Sequence, residues 1–384
     1  MKKSLLALAV AAFAASSAAS AATVYDKDGT SLNIGGRIQS VAYSPLNDGS
    51  ANNDATITNS SRFSLEGRSQ IASGVAAFGF ADWDLDSADS SSGNEGFTAR
   101  EQYIGVDFGK FGALTVGRTY DSVKAVISAT DIYEDFGVLG QVGCDDRRAG
   151  TVKYVWEGYG IYAGATYQAA KNDVVVGGAG NNDTMNVEGG YSVVLGYTTP
   201  SVVFGPISVK AAYSYLAAQD DQKYELSTDD LDNMKEFAAS ISWGNTSEGL
   251  YLATMYNNRK FEYLGTSQYG SDTYKGIEVA IAYYFDNGLS LASGWQYNRL
   301  YSENHLTANN EEVILRKMPV YVNYSFNSNF NVWAEAQFDM GSDRQVNLSN
   351  NFDSIEFVDS DHTVFSVGAR YTFCLLYTSP SPRD

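Results

Sequence analysis

The chain has 384 residues, with 26 Lys and Arg against 45 Asp and Glu, and its formal net charge at pH 7 is −19. Such an acidic chain lacks the basic surface that nucleic-acid binding requires, and its two cysteines exclude a framework of several disulfides. Tyrosine (27) and phenylalanine (19) are abundant and proline (6) is scarce, a composition that favours strands over helices.

The first 21 residues have the pattern of a secretory signal peptide. Lys2 and Lys3 precede an apolar stretch over residues 5–15, and residues 19–21 (ASA) match the small-residue cleavage site. The apolar stretch is shorter than the ~20 residues that a transmembrane helix needs. We therefore predict an exported protein whose mature chain begins at Ala22.

From about residue 30 onward, apolar and polar residues alternate with a period of two. Ile207, Val209 and Tyr213, for example, share one parity while polar residues hold the other. The alternation predicts sixteen strands at residues 30–44, 56–70, 74–86, 96–108, 112–120, 147–157, 158–169, 187–199, 204–216, 233–243, 248–259, 273–285, 288–301, 313–326, 329–342 and 359–373. Eighteen strands are the alternative, because boundaries read from one sequence err by about 2 to 4 residues.

Short turns alternate with long polar insertions between these strands. Residues 286–288 (DNG) form one of the short turns, and residues 121–146 form the longest insertion. Short connections on one side and long ones on the other are typical of a transmembrane antiparallel β-barrel. Barrels of about this strand number keep an open aqueous lumen, so the pattern predicts a pore.

The predicted last strand ends at Phe373, with Tyr371 on the same face. Residues 374–384 lack any periodicity and contain Pro380 and Pro382, so we interpret them as non-native read-through, with a genuine short tail as the alternative. The predicted organisation is a signal peptide at 1–21, a barrel at 22–373 and this tail.

Three arginines lie on the polar parity of their predicted strands. Arg37, Arg62 and Arg147 alternate with apolar residues, so we predict that their side chains point into the lumen. The alternative is that these arginines only balance nearby carboxylates in a wet interior.

Several short stretches occur at characteristic positions: 24–29 (VYDKDG), 61–67 (SRFSLEG), 100–106 (REQYIGV), 109–120 (GKFGALTVGRTY) and 130–137 (TDIYEDFG), together with the closing strand. In order and spacing they resemble the trimeric general diffusion porins of the Gram-negative outer membrane, and the resemblance covers essentially the whole mature chain. It implies an all-β, transmembrane antiparallel β-barrel of 16 strands with an inward-folded third extracellular loop.

In that family, acidic residues of the inward loop face wall arginines across the narrowest part of the pore. The resemblance places Asp131 and Asp135 at the positions of the two loop carboxylates and adds Arg100 to the wall. It predicts a constriction formed by Arg37, Arg62, Arg100, Arg147, Asp131, Glu134, Asp135 and Tyr120. The family's Pro-Glu-Phe-Gly-Gly is replaced by residues 134–138 (EDFGV), so the resemblance does not fix the loop tip or the pore radius.

Arg118 shares the parity of Leu114 and Val116, so its side chain is predicted to face outward. A charge there is expensive in lipid but tolerable at a protein interface, which favours a contact within a homotrimer, with Asp86 or Asp89 of a neighbour as its partner. The alternative is an arginine at the level of the lipid headgroups.

The resemblance also implies partners for this chain. Tyr371 and Phe373 stand where the family carries the terminal signal that the barrel assembly machinery reads. Outer-membrane lipid and lipopolysaccharide are expected around the barrel, with divalent cations bridging the acidic loops. We expect no nucleic acid, no cofactor and no metal centre in the barrel.

The sequence thus predicts a channel for passive diffusion of ions and small hydrophilic solutes, with a mild cation preference motivated by the net charge. A substrate-specific channel is an alternative, because Tyr120 and Tyr133 could form a sugar-binding track. A surface adhesin or phage receptor role of the loops is another. An enzyme is not expected, because the two histidines, His305 and His362, have no suggested Ser-His-Asp arrangement.

Overall fold

The computed structural model describes residues 21–44, 55–85, 96–137, 139–141, 147–176, 184–219, 231–264, 269–304, 311–343 and 362–373. Within these ranges the strands are β1 (Ala21–Lys27), β2 (Thr30–Tyr43), β3 (Thr56–Ala72), β4 (Val75–Leu85), β5 (Phe97–Asp107), β6 (Ala113–Tyr120), β7 (Arg147–Gly158), β8 (Ile161–Gln168), β9 (Lys171–Val175), β10 (Thr184–Thr198), β11 (Ile207–Ala218), β12 (Leu231–Trp243), β13 (Gly249–Tyr263), β14 (Tyr269–Tyr284), β15 (Leu289–Asn304), β16 (Glu311–Ser325), β17 (Phe330–Asp339) and β18 (Val364–Phe373). Residues 1–20 of the predicted signal peptide and the predicted tail at 374–384 lie outside the described ranges.

The helical elements are short. One α-helix, α1 (Lys124–Ile127), is followed by the 3-10 turn Ser128–Thr130, and a second 3-10 turn, Gly109–Phe111, joins β5 to β6. In the part of the chain that is described, none of the helices has the length and hydropathy of a membrane span.

Sixteen of the described strands close into one antiparallel barrel. Each of β2 to β7 pairs with the next strand, β8 pairs with β10, each of β10 to β17 pairs with the next strand, and β18 pairs with β2. The sixteen-strand antiparallel barrel that the alternation predicts is therefore confirmed. Closure leaves no unpaired sheet edge, which a barrel in lipid requires.

The two remaining strands extend existing ladders. β1 pairs with the first half of β2, and β18 pairs with the second half, so that Ala21 and Phe373 lie opposite the consecutive residues Gly35 and Gly36. β9 pairs with the start of β10, in line with β8, which pairs with the rest of β10.

Some strands are longer than the alternation predicts. β13 and β14 run on through the predicted insertion at 260–272, with Lys260 opposite Thr273 and Glu262 opposite Ser271. Phe261 and Tyr263 lie on the buried face here, whereas Lys260 and Glu262 lie on the outer face. The outer face therefore becomes polar while the backbone pairing continues. β9 likewise lies within a predicted insertion.

Side chains of the two parities meet different surroundings. On β14, Val279 and Ile281 are 45% and 47% exposed, whereas the alternating Glu278, Ala280 and Ala282 are at most 2% exposed. Because successive side chains of a strand point to opposite sides of the barrel, the exposed apolar parity forms the outer face. The buried parity forms the inner face.

The connection between β6 and β7, called here the β6–β7 segment (residues 121–141), packs against this buried parity. Val123, Val126 and Ile127 contact side chains of β10 to β13. Ala129, Ile132 and Tyr133 pack on a second cluster drawn from β13 to β17 and β2. The wall residues beneath the segment include several alanines, namely Ala212, Ala238, Ala253, Ala280, Ala282 and Ala292. Their small side chains leave room for the segment to approach the wall.

Candidate functional site

A cavity of about 890 Å³ lies between the β6–β7 segment and the wall. Its charged lining residues are Arg37, Arg62, Arg68, Arg100, Lys124, Lys153, Lys210 and Arg370, together with Glu66, Asp82, Glu101, Asp107, Asp131, Glu134, Asp135 and Glu157. Most of these side chains belong to β2 to β8 and β18. A lining with this many charges favours water and polar solutes over apolar ones.

The predicted wall arginines come together by strand register. Arg37 lies directly opposite Arg62 across the β2–β3 ladder. The carboxylate of Asp84 on β4 accepts hydrogen bonds from two of these arginines, from Arg62 Nε at 3.0 Å and from Arg100 Nη1 at 2.6 Å. Arg100 Nε is also 3.3 Å from Asp82 Oδ2. Two of the predicted arginines are thus paired with carboxylates of β4 rather than with the β6–β7 segment.

A further arginine makes the ion pair between wall and segment. Arg370 on β18 donates from Nη1 to Glu134 Oε1 at 2.9 Å and from Nη2 to Glu134 Oε2. Its guanidinium carbon lies 5.1 Å from the centre of the Trp333 ring. The sequence prediction omitted Arg370. Arg370 lies on the polar face of the closing strand, and the same alternation that identified Arg37 could have identified it.

The three acidic residues of the segment have different partners. Asp131 is paired within the segment, 3.0 Å from Lys124 Nζ, and Glu134 is paired with Arg370. Asp135 accepts hydrogen bonds from three wall side chains: Tyr43 Oη at 3.0 Å, Trp333 Nε1 at 2.8 Å and Ser366 Oγ at 2.5 Å. Asp135 therefore fastens the segment to β2, β17 and β18.

Two wall glutamates that the sequence did not predict also fasten the segment. Glu335 on β17 accepts from three consecutive backbone amides, those of residues 134, 135 and 136, at 3.0, 2.9 and 2.7 Å. Glu278 on β14 accepts from the Gly140 amide at 2.9 Å, from Gln141 Nε2 at 3.0 Å and from Thr130 Oγ1 at 2.5 Å. Each of the two glutamates accepts three hydrogen bonds from the segment, so together they hold it at two places.

The start of the segment is fixed by a buried ion pair. Burial disfavours the carboxylate of Asp121, but Arg148 Nη1 at 2.7 Å and the Val123 amide at 2.8 Å outweigh it and lower the pKa of Asp121 below its usual value. Burial raises the pKa of Tyr133, further along the segment, above its usual value. Asp121 therefore carries its charge at neutral pH and Tyr133 does not.

Tyr120 and Arg147 lie side by side where β6 and β7 meet the segment. Arg147 Nε donates to Tyr120 Oη at 2.8 Å, and its guanidinium carbon is 4.8 Å from the ring centre. Tyr120 lines the cavity, as do all the other predicted constriction residues except Arg147, which is buried beside it. A role of Arg147 in the constriction stays a prediction.

Comparison with known proteins identifies the family. A family model described as Gram-negative porin matches residues 7–312. The chain belongs to the Gram-negative porin family. It is 25% identical over 391 residues to the outer membrane protein YedS of Escherichia coli, covering 97% of this chain and 100% of the relative. The protein is therefore an outer-membrane porin, a channel rather than an enzyme.

Solved porin structures share the fold of this porin. OmpF of Salmonella typhi, in complex with daunomycin, matches with a TM-score of 0.69 at 20% identity, covering 91% of this chain and 100% of that one. The trimer form of OmpT of Vibrio cholerae matches with a TM-score of 0.60 at 18% identity, covering 90% and 100%. At these identities the likeness concerns the fold alone.

The remaining predicted site residues of the porin lie on its outer face or where β18 pairs with β2 to close the barrel. Arg118 Nε donates to the carbonyl of Arg100 at 2.8 Å, on the face that also exposes Val116. Tyr371 is 52% exposed, and the Phe373 ring covers Gly36. Asp86 and Asp89, the predicted partners of Arg118, lie outside the described residues. A trimer contact and an assembly signal remain predictions at these positions.

A metal centre is not indicated by the described ranges, which contain no group of three or more His, Cys, Asp or Glu side chains placed to hold an ion. His362 is described, whereas His305, Cys144 and Cys374 are not.

Proposed function

We propose that this porin forms a water-filled channel for passive diffusion of ions and small hydrophilic solutes, and that the β6–β7 segment folds into the barrel and narrows the channel. The observation that carries the proposal is the charged cavity between the segment and the wall of β2 to β8 and β18. Polar side chains on both sides of a passage replace part of the hydration that a polar solute loses there.

The contacts of the segment support its place inside the barrel. The segment leaves the wall after β6 and re-enters it at β7, yet Glu278 and Glu335 bind it from β14 and β17. Both glutamates have the buried parity, which is the inner face. A segment bound in this way crosses the lumen and leaves the cavity on one side of it.

We further propose that a transverse field acts on solutes in this cavity. Arg37 lines the cavity on the wall, and Asp131 lines it on the segment. Opposed charges across a narrow, water-filled section orient dipolar solutes. Apolar solutes gain nothing from the field and lose hydration, so they pass more slowly.

A mild cation preference is part of the proposal. Arg62, Arg100 and Arg370 are neutralised by carboxylates at hydrogen-bond distance. Further carboxylates, such as Glu66 and Glu101, line the same cavity, and the chain has a net charge of −19. The lining itself is balanced, with eight basic and eight acidic side chains, so the preference rests on the net charge of the whole chain, which should raise the local concentration of cations.

We propose that the porin assembles as a homotrimer through the face that carries Arg118, in agreement with the trimer form described for OmpT. The outward-facing apolar residues Val116 and Ile104 beside Arg118 suit a subunit interface.

We further propose that residues 1–21 are a signal peptide and that the barrel assembly machinery recognises Tyr371 and Phe373. We also propose that the porin contacts lipopolysaccharide and divalent cations.

A substrate-specific channel is the second candidate function. Four aromatic residues with hydrogen-bonding groups, Tyr103, Tyr120, Tyr133 and Tyr162, line the cavity, and such rings can stack on the apolar faces of a sugar. An adhesin or phage receptor role would depend on the long loops, most of which lie outside the described residues.

Planar-bilayer recording tests these proposals together. We expect conductance to rise in three equal steps per insertion, flux to fall smoothly with solute size, and the reversal potential in a salt gradient to show cation preference. Saturable block by a single sugar would favour the substrate-specific channel. Anion preference would contradict the selectivity proposal, and absence of ion conductance would contradict the channel itself.

A further inference from the structure

The chain after β9 leaves the barrel wall. β9 pairs with β10, yet the carbonyl of Val176 accepts a hydrogen bond from Arg259 Nη1, on β13, at 2.5 Å. β13 lies three strands beyond β10, about 14 Å along the sheet at the usual spacing of strands. Val176 must therefore lie over the inner face of the intervening strands, within reach of the Arg259 side chain.

An apolar cluster surrounds this point of contact. Val174 and Val176 are 2% and 0% exposed and pack in one cluster with inner-face side chains of seven further strands, β10 to β16. Representative members, one from each of these strands in order, are Met185, Leu216, Met234, Phe261, Tyr274, Leu300 and Leu315. Leu139 of the β6–β7 segment packs against the same cluster. Apolar side chains this deeply buried on an inner face are not in contact with a water-filled passage.

A buried polar network holds the segment on this cluster. Arg259 Nη2 lies 2.7 Å from Glu236 Oε2, and Asn257 Nδ2 donates to Glu236 Oε1 at 2.8 Å. All three side chains are at most 1% exposed. Burying a charge is costly unless it is paired and hydrogen-bonded, so the contact of Arg259 with the Val176 carbonyl is part of a fixed arrangement.

The cluster and the cavity occupy different sides of the barrel. Members of the cluster come from β9 to β16 and the β6–β7 segment, and none of them lines the cavity, which is bordered mainly by β2 to β8 and β18. We propose that residues 174–176, at the end of β9, form a second internal segment that closes the β10–β16 side of the barrel, so that solutes pass only between the β6–β7 segment and the wall of β2 to β8. This inference rests on the proposed channel function.

Cysteine accessibility tests the inference in the whole protein. In a background with Cys144→Ser and Cys374→Ser, Ser128→Cys places a thiol on the exposed, cavity-lining part of the β6–β7 segment, and Met234→Cys places one in the cluster. An anionic methanethiosulfonate is added to the open channel, and modification is followed by mass spectrometry and by the current. We expect Ser128→Cys to react fast and lose current, and Met234→Cys to react roughly 100-fold more slowly, since it needs local opening.

The two proposals fail in distinguishable ways. If modified Ser128→Cys keeps its full current, the proposed channel path is wrong. If Ser128→Cys behaves as expected but Met234→Cys reacts equally fast, the channel proposal stands and the second internal segment is overturned.

A release variant adds an independent readout. The release variant combines Val174→Ser and Val176→Ser with Met234→Cys and so removes the apolar contacts of the segment. We expect the thiol of Met234→Cys to be modified at least about ten-fold faster and the single-channel conductance to increase. The matched control is Val202→Ser with Val203→Ser, in the exposed β10–β11 connection, which should change neither. Faster reaction without larger conductance would overturn the proposed closure. If the release variant fails to fold, seen as loss of the heat-sensitive shift in gel mobility, the comparison of Met234→Cys with Ser128→Cys decides alone.

Discussion

The carbonyl oxygen of Gly140 lies where a Cβ on Gly276 would have to be placed. Gly140 belongs to the β6–β7 segment and Gly276 to β14, so a glycine in the wall allows the segment to touch the backbone of the barrel. A second wall glycine, Gly294 on the neighbouring strand β15, also allows close approach, because a Cβ at this position would lie 2.7 Å from Tyr133 Oη. The distance between segment and wall, and with it the width of the cavity, depends on these two positions.

Gly276→Ala should therefore push the segment off the wall and into the cavity. The displaced Gly140 loses its amide bond to Glu278, and overpacking of this kind costs about 1–3 kcal/mol. We expect a smaller single-channel conductance and a lower thermal unfolding temperature. Gly189→Ala on β10 is the matched control, because the nearest atom to its Cβ is at 3.7 Å, an ordinary contact. Equal conductance for the two variants would contradict the close-approach explanation.

Glu335→Gln tests the anchoring of the segment tip. The carboxylate uses both oxygens to accept three backbone amides, whereas an amide side chain offers one oxygen and turns a donor toward the remaining N–H. A lost hydrogen bond costs about 0.5–1.5 kcal/mol, so the tip should move more freely. We expect more open-channel current noise than in the parent protein. Glu312→Gln, on the exposed face of β16, should leave the noise unchanged.

Arg370→Gln tests how the wall charges set selectivity. Removing this side chain leaves the Glu134 carboxylate without its bidentate partner and makes the cavity more negative. At about 1 kcal/mol for two unit charges 4 Å apart in water, the cation-to-anion permeability ratio should rise roughly five-fold. The reversal potential in a salt gradient measures it. Arg299→Gln removes an arginine paired with Glu312 on the exposed face and serves as the control. A shift of equal size in the control would show that only the net charge matters.

Arg118→Ala tests the proposed subunit contact. If Arg118 bridges subunits, its removal should lower the temperature at which the trimer dissociates on a gel by a few degrees, without changing the conductance of a single channel. Arg316→Ala is a suitable control, because Arg316 also lies on the outer face and donates to the carbonyl of Gly341 at 2.7 Å. Unchanged trimer stability in Arg118→Ala would favour an arginine at the lipid headgroups.

The strands could be predicted from the sequence because each depends on neighbours in the chain. A strand between lipid and water must alternate apolar and polar side chains, and this contrast placed β2 to β8 and β10 to β18 close to their observed limits. It weakened at the ends of β13 and β14 and in the short β9, so the alternation predicts insertions at these residues. The same parity placed Arg37 and Arg62 on the inner face, and it would have done so for Arg370.

The pairings of the site could not be predicted in this way. The Glu134 amide and its acceptor Glu335 are 201 positions apart, and Thr130 and Glu278 are 148 positions apart. A glutamate on a polar parity looks the same in the sequence whether it faces water or binds a loop. The resemblance supplied acidic residues and arginines for the constriction, but not that Arg62 and Arg100 are paired with Asp84 on β4.

By itself the sequence determined the strands of a transmembrane barrel and which face of each strand is apolar, because both follow from a local period of two, whereas the outer membrane came from the resemblance to the porins. Only the tertiary structure decided which wall residues contact the β6–β7 segment and Val176. The positions of the β6–β7 segment and of Val176 depend on glycines, alanines and buried carboxylates of strands that are far apart in the sequence and meet only in the closed barrel. Contacts between such distant residues produce no periodic pattern in the sequence.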